Sequence, residues 1–157
     1  MRQKIFFENA KLIRDRFGIT PLMYGSLGLE YITGANLDSD DVDILIPEEF
    51  ISERWNEFKD FLTGEGYVLT DEHEHTFLKD GVSLSYASVE ELESFAEIKT
   101  ADIKQLNCKG VSFMVLSLKQ YLKVYLTSVN DGYRINVRQK KDREKIAFIE
   151  KCLNKKA

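Results

Sequence analysis

A chain of 157 residues suits one domain with a sizeable core. With 43% apolar and 31% charged residues it reads as a water-soluble globular protein, and no apolar run approaches the length of a membrane span. The net charge of −4 conceals an uneven distribution: residues 48–98 hold 14 acidic and three basic side chains, whereas residues 99–157 hold 14 basic and five acidic ones. The basic third could attract a phosphate-bearing partner, although solvated outer helix faces are the better default account of such charges. Cys108 and Cys152 fit no metal spacing and read as reduced thiols. The opening MRQKIFFENAK does not read as a signal peptide, so a cytoplasmic protein is expected.

In chain order, residues 3–17 are expected to be helical, because Phe6, Ala10, Ile13 and Phe17 recur on one face. Gly18 is placed to end that helix. The apolar run Leu22-Met23-Tyr24 reads as a strand. Gly25-Ser26 follow, then a polar loop carrying Asp38, Asp40 and Asp41, then a second strand over 42–46 that contains Asp43. Pro47 leads into a helix over about 49–63 whose apolar face is Ile51, Trp55, Phe58 and Leu62. Trp55 lies on that stripe, which assigns it to the core rather than to base stacking.

The next stretch is strand-like: 67–69, a polar turn over 71–75, then 76–79. The hairpin signal Asp80-Gly81 follows, and residues 82–87 return. His73 and His75 alternate on this stretch and so share a face, but a solvated hairpin edge accounts for so charged a run. Ser88 and Glu91 have capping-box spacing before a helix running to about Glu97. Residues 99–107 give no clear pattern. Lys109-Gly110 turns into a strand over 111–115. Ser117 and Gln120 form a second capping box before a helix bearing Leu118, Tyr121, Leu122, Tyr125, Leu126 and Val129. Asn130-Asp131-Gly132 breaks it. A last helix over about 138–153 buries Ile146, Ile149 and Leu153. There are no repeats and no linker, so the whole of 1–157 is expected to form one domain.

The chemistry concentrates in 22–46. Asp41 and Asp43 are two apart on a strand, so both carboxylates point to one face. Two like charges on one face repel unless a cation lies between them. Mg²⁺ takes one or two carboxylates and fills its other sites with water and substrate phosphates. The Gly25-Ser26 pair suits phosphate, since glycine admits close backbone approach and a serine hydroxyl with nearby N–H groups binds phosphate oxygens.

A strand, then Gly-Ser, then Asp-Val-Asp on the next strand resembles the nucleotidyltransferase superfamily, the DNA polymerase beta-like group with its minimal and antibiotic-modifying members. The segment Lys140-Lys141-Asp142, with Lys145, Ile146 and Ile149, is similar to the Lys-Asp opening of a late helix there. The resemblance implies an α+β fold, with a mixed sheet flanked by helices and closed by C-terminal helices. It implies that Gly25 and Ser26 bind a nucleoside triphosphate and that Asp41 and Asp43 hold Mg²⁺ or Mn²⁺ and are catalytic. Arg134, Lys140 and Lys141 are further candidate cations. The family's third carboxylate, on a neighbouring strand, is expected at Ser83 or Ser85, and neither can act as a base. Asp80 and Glu90 flank that strand.

Two functions are therefore open. One is metal-dependent transfer of a nucleoside monophosphate to the hydroxyl of an unknown acceptor. The other is an impaired module of the same fold that binds nucleotide and metal or a protein partner. A metal-dependent phosphate hydrolase would leave Gly25-Ser26 unexplained. No aromatic-basic stripe points to nucleic acid.

Overall fold

The computed structural model describes residues 1–130 and 136–156, with side chains described for 1–130 and 141–155. Helix α1 (Arg2–Phe17) leads into strand β1 (Leu22–Tyr24), helix α2 (Gly25–Thr33) and strand β2 (Asp41–Ile46). A 3₁₀ turn (Glu48–Phe50) precedes helix α3 (Trp55–Gly64) and strands β3 (Val68–Asp71), β4 (Thr76–Lys79) and β5 (Val82–Ser88). Helix α4 (Glu91–Ala96), a second 3₁₀ turn (Thr100–Asp102), strands β6 (Lys104–Cys108) and β7 (Val111–Val115), and helices α5 (Leu118–Val129) and α6 (Asn136–Lys156) complete the order.

The seven strands form one mixed sheet in the order β3-β4-β5-β2-β1-β7-β6. The two apolar runs that bracket the Gly-Ser and Asp-Val-Asp motifs are neighbours, with β1 antiparallel to β2 and Tyr24 opposite Asp43. On its other side β2 runs parallel to β5. The sheet therefore places the aspartate strand centrally, between the strand that ends at Gly25 and the strand that carries the serines.

Strand alternation divides the core in two. Val42, Ile44 and Ile46 of β2 pack with Ile5, Phe6 and Ile13 of α1 and Phe58 and Leu62 of α3. Leu45, from the opposite side of β2, joins Leu22, Leu92 of α4, Tyr121 and Val124 of α5, and Ile149 of α6. Helix α5 starts at the expected capping box. The Gln120 amide donates to Ser117 Oγ at 3.1 Å, and the Ser117 amide donates to Gln120 Oε1 at 2.9 Å. Asp142 is buried on α6 and accepts the Ser128 hydroxyl at 2.5 Å, tying α6 to α5.

Several local expectations are corrected. The segment after Gly25-Ser26 is not loop throughout: residues 25–33 form α2, and only 34–40 are irregular. The interposed glycines weaken a helical pattern, but Leu27, Gly28 and Leu29 are buried, so packing overrides local propensity. The helix expected over 49–63 splits into the 3₁₀ turn and α3. Ser88 and Glu91 form no capping box. Ser88 instead donates to Glu90 Oε2 at 3.1 Å, and α4 has no side-chain cap. The patternless 99–107 contains a short 3₁₀ turn and β6, an edge strand whose residues are mostly exposed or half-buried. Trp55 packs at the core margin on Phe58 and Phe77, and its Nε1 donates to Glu72 at 3.3 Å. Arg134 and most of the Asn130-Asp131-Gly132 break lie outside the described residues, as does the side chain of Lys140.

Candidate functional site

The site grows from the junction of β1 and α2. The chain leaves β1 at Tyr24 in an extended conformation and enters α2 at Gly25, whose φ is +63°. That left-handed turn favours glycine, and space demands it as well: a Cβ on Gly25 would lie 2.6 Å from Asp43 Oδ2. Asp43 thus lies directly against the opening of α2. The first amides of a helix have no intrahelical acceptor, and the partial positive charge of its start favours anions. The N-cap residue, Tyr24, makes no side-chain cap hydrogen bond at this end.

Along the site face of β2, burial rises in order. Asp41 is exposed, Asp43 half-buried and Leu45 buried. The two carboxylates therefore occupy the margin where the helical cover of that face ends, accessible yet anchored in a central strand. Gly25 and Ser26 are half-buried beside them. All four residues singled out from the sequence thus lie at one end of β1, β2 and α2.

The parallel pairing of β2 with β5 sets Ser83 opposite Asp41 and Ser85 opposite Asp43. Ser85 Oγ lies 2.7 Å from Thr76 Oγ1 on β4, extending a rung Thr76, Ser85, Asp43, Tyr24 across four strands. Glu90 lies beyond the other end of β5, where its carboxylate accepts the Glu48 amide at 2.6 Å. Asp80 occupies the β4–β5 turn with φ +50°. Among the described residues, no group of three or more His, Cys, Asp or Glu side chains could hold a metal ion.

Sequence reading passed over two contributors. Glu30, on α2, fastens the loop that delivers Asp41: its carboxylate accepts the Leu37 amide at 2.9 Å and the Ser39 hydroxyl. Its only sequence signal is a lone acid amid apolar residues in a stretch read as loop. Tyr121 reaches the site from α5, and its hydroxyl donates to the Gly25 carbonyl at 3.0 Å. In the sequence Tyr121 was one apolar position among six. Burial holds its phenol well above the usual range, with neighbouring Tyr125, Tyr24 and Asp43 adding to the effect. A cavity of about 690 Å³, lined in part by Leu27, Glu30, Tyr31, Asp38 and Asp40, opens beside the 34–40 loop. Lys141 is exposed on α6, and His73 is exposed in the β3–β4 turn.

No family model matches the chain. Among curated proteins, "Uncharacterized protein YnaI" of Bacillus subtilis (strain 168) is 35% identical over 148 residues, covering 94% of this chain and 95% of the relative. Among solved structures, the crystal structure of an antigenic nucleotidyltransferase-like protein from Paracoccidioides brasiliensis superposes with a TM-score of 0.63 at 16% identity, over 94% of this chain and 74% of the other. The antibiotic-resistance factor ANT(2'')-Ia, crystallised in complex with adenylyl-2''-tobramycin, superposes with a TM-score of 0.55 at 12% identity, over 99% of each chain. At these identities the likeness to solved structures is one of fold.

Proposed function

Because this chain belongs to the family that includes Bacillus subtilis YnaI and has the fold of the nucleotidyltransferase superfamily, we propose that it moves a nucleoside monophosphate from a nucleoside triphosphate to the hydroxyl of an acceptor. The observation that supports this best is the approach of Asp43 Oδ2 to Gly25 at the start of α2. It joins a carboxylate to an anion-attracting helix start, a combination suited to a cation carried in with phosphate. Asp41 and Asp43 would hold Mg²⁺ or Mn²⁺, for which two carboxylates suffice because water and phosphate oxygens complete the shell. Such an ion supplies neutralisation of triphosphate charge and a template for its orientation.

The chain's own part is positional. Gly25 keeps the space above Asp43 free of a side chain. The first amides of α2 and the Ser26 hydroxyl are donors for phosphate oxygens. Tyr24, opposite Asp43, is half-buried and stacks on Tyr121 with ring centroids 6.4 Å apart. The proton of the attacking hydroxyl is the weak point. Ser83 and Ser85 oppose the aspartates, and a serine hydroxyl is neutral at physiological pH. The proton would then pass to water, to a group on the substrate or to Asp80, in the turn at the Ser83 end of β5, and slow transfer is expected.

The same register favours a second reading, a module that binds metal and nucleotide without turnover or that acts through a protein partner. Both readings treat 1–157 as one cytoplasmic domain with no nucleic-acid partner indicated. Calorimetry with ATP, GTP, CTP and UTP in Mg²⁺ or Mn²⁺, run beside a pyrophosphate-release assay with hydroxyl acceptors, separates them. Binding that is lost in Asp43→Ala together with slow release supports transfer. Binding without release supports the module. No binding of any nucleotide overturns transfer and the nucleotide-binding module, leaving only action through a protein partner.

A further inference from the structure

Tyr121 is far from the Gly-Ser motif in sequence, yet it is fully buried against it. Its hydroxyl donates to the Gly25 carbonyl across 96 positions of sequence. That carbonyl is also the acceptor for the first turn of α2, since helix geometry sets the Leu29 amide on it, and a carbonyl has two lone pairs to serve both. Space is reserved for the hydroxyl: a Cβ on Gly28 would overlap both it and the Met23 carbonyl. The ring packs with Tyr24 and Tyr125, near-parallel to it at 17° and 14° with centroids 6.4 and 6.1 Å away. A fully buried ring with two aromatic neighbours presents its hydroxyl to one place. The residue that accepts it has a left-handed φ and lies against Asp43.

We infer that Tyr121 is a positioning residue: its hydroxyl holds the first turn of α2 in the conformation that brings Gly25 against Asp43 and aims the helix start at the incoming phosphates. The effect on nucleotide rests on the proposed function, whereas the effect on α2 does not. Through Tyr121 the site acquires a tie to α5. Removing the hydroxyl therefore loosens the phosphate cradle while leaving the two core clusters packed.

Tyr121→Phe keeps the ring and removes only the donor. Tyr86→Phe, at a tyrosine buried in the other core cluster, controls for loss of a buried hydroxyl as such. The first readout needs no ligand: hydrogen exchange at the Leu29 amide. It should quicken about fivefold in Tyr121→Phe, the scale of one net hydrogen bond, and stay at the native rate in Tyr86→Phe. The second is Mn²⁺–ATP affinity by calorimetry, at a temperature where both variants are folded by circular dichroism. It should weaken about fivefold in Tyr121→Phe and stay within twofold of native in Tyr86→Phe. Native exchange at Leu29 in Tyr121→Phe overturns the inference, as does equal loss of affinity in both variants. If the native chain binds no nucleotide, the proposed function fails, and the exchange rate alone decides the role of Tyr121.

Discussion

Gly25→Ala, set against Gly18→Ala, separates the cost of a backbone conformation from the cost of crowding Asp43. Both glycines have a left-handed φ, +63° at Gly25 and +72° at Gly18. An alanine at either position pays for that conformation, roughly 1–2 kcal/mol. At Gly18 a new Cβ meets nothing within 4 Å, so the cost ends there. At Gly25 it would lie 2.6 Å from Asp43 Oδ2, with the Asp43 Cβ and Cγ at 3.4 Å. Asp43 cannot retreat as a whole, because its strand is paired with β1 on one side and β5 on the other. Its carboxylate must rotate away, and overpacking of this kind costs about 1–3 kcal/mol. Urea denaturation should therefore show Gly25→Ala destabilised by about 2–5 kcal/mol, against about 1–2 for Gly18→Ala. In a chain of this size each kcal/mol lowers Tm by about 2–4 °C. The contact term should vanish in an Asp43→Ala background, where Gly25→Ala should cost no more than Gly18→Ala does. If the two glycine variants lose the same stability with Asp43 present, the close approach does not constrain the site and the reasoning fails.

Ser85→Asp places a third carboxylate opposite Asp43. It should lower Tm without divalent cation and raise it with Mn²⁺, as thermal melts with and without the ion would show; a melt indifferent to Mn²⁺ would count against a metal site on this rung. Ser117→Ala removes the hydroxyl that accepts the Gln120 amide at the start of α5, leaving the residue-117 amide to donate to Gln120, and should cost about 1 kcal/mol in denaturant titration. Phe58→Ala empties a fully buried position ringed by Phe17, Phe50, Trp55 and Tyr86. A loss of about 3–5 kcal/mol is expected, measurable by the same titration. A loss under 1 kcal/mol would mean that the α3 side of the sheet repacks.

Much of the fold is legible because its signals are local. The strands at 22–24 and 42–46, the Asp80-Gly81 turn, the Ser117 cap and the long C-terminal helices all follow from periodicity and turn chemistry within a few residues. The resemblance carried by Gly-Ser and Asp-Val-Asp extends to the architecture, an α+β fold with a mixed sheet. Where local signals were weak or shared, the reading slipped. Residues 25–33 read as polar loop because Gly25 and Gly28 interrupt them and Gly34 follows. Their helix exists because Leu27 and Leu29 find buried places on either side of it. Ser88 and Glu91 have the spacing of a cap, yet Glu90 is nearer to Ser88 and takes its hydroxyl.

The residues of the candidate site were legible one by one, and the alternation of a strand alone put Asp41 and Asp43 on one face. What that face meets is a matter of long-range pairing. The resemblance named Ser83 and Ser85 as candidates for the facing position, but only the sheet decided which serine meets which aspartate, since parallel register between β2 and β5 depends on how their apolar sides share one core. Only the packing of α5 across that sheet could bring the Tyr121 hydroxyl to Gly25, because a buried tyrosine on an apolar helix face looks the same in sequence whether its hydroxyl meets a carbonyl or nothing. The chain's local chemistry determined which groups are available; burial of two apolar faces against one sheet decided which of them meet.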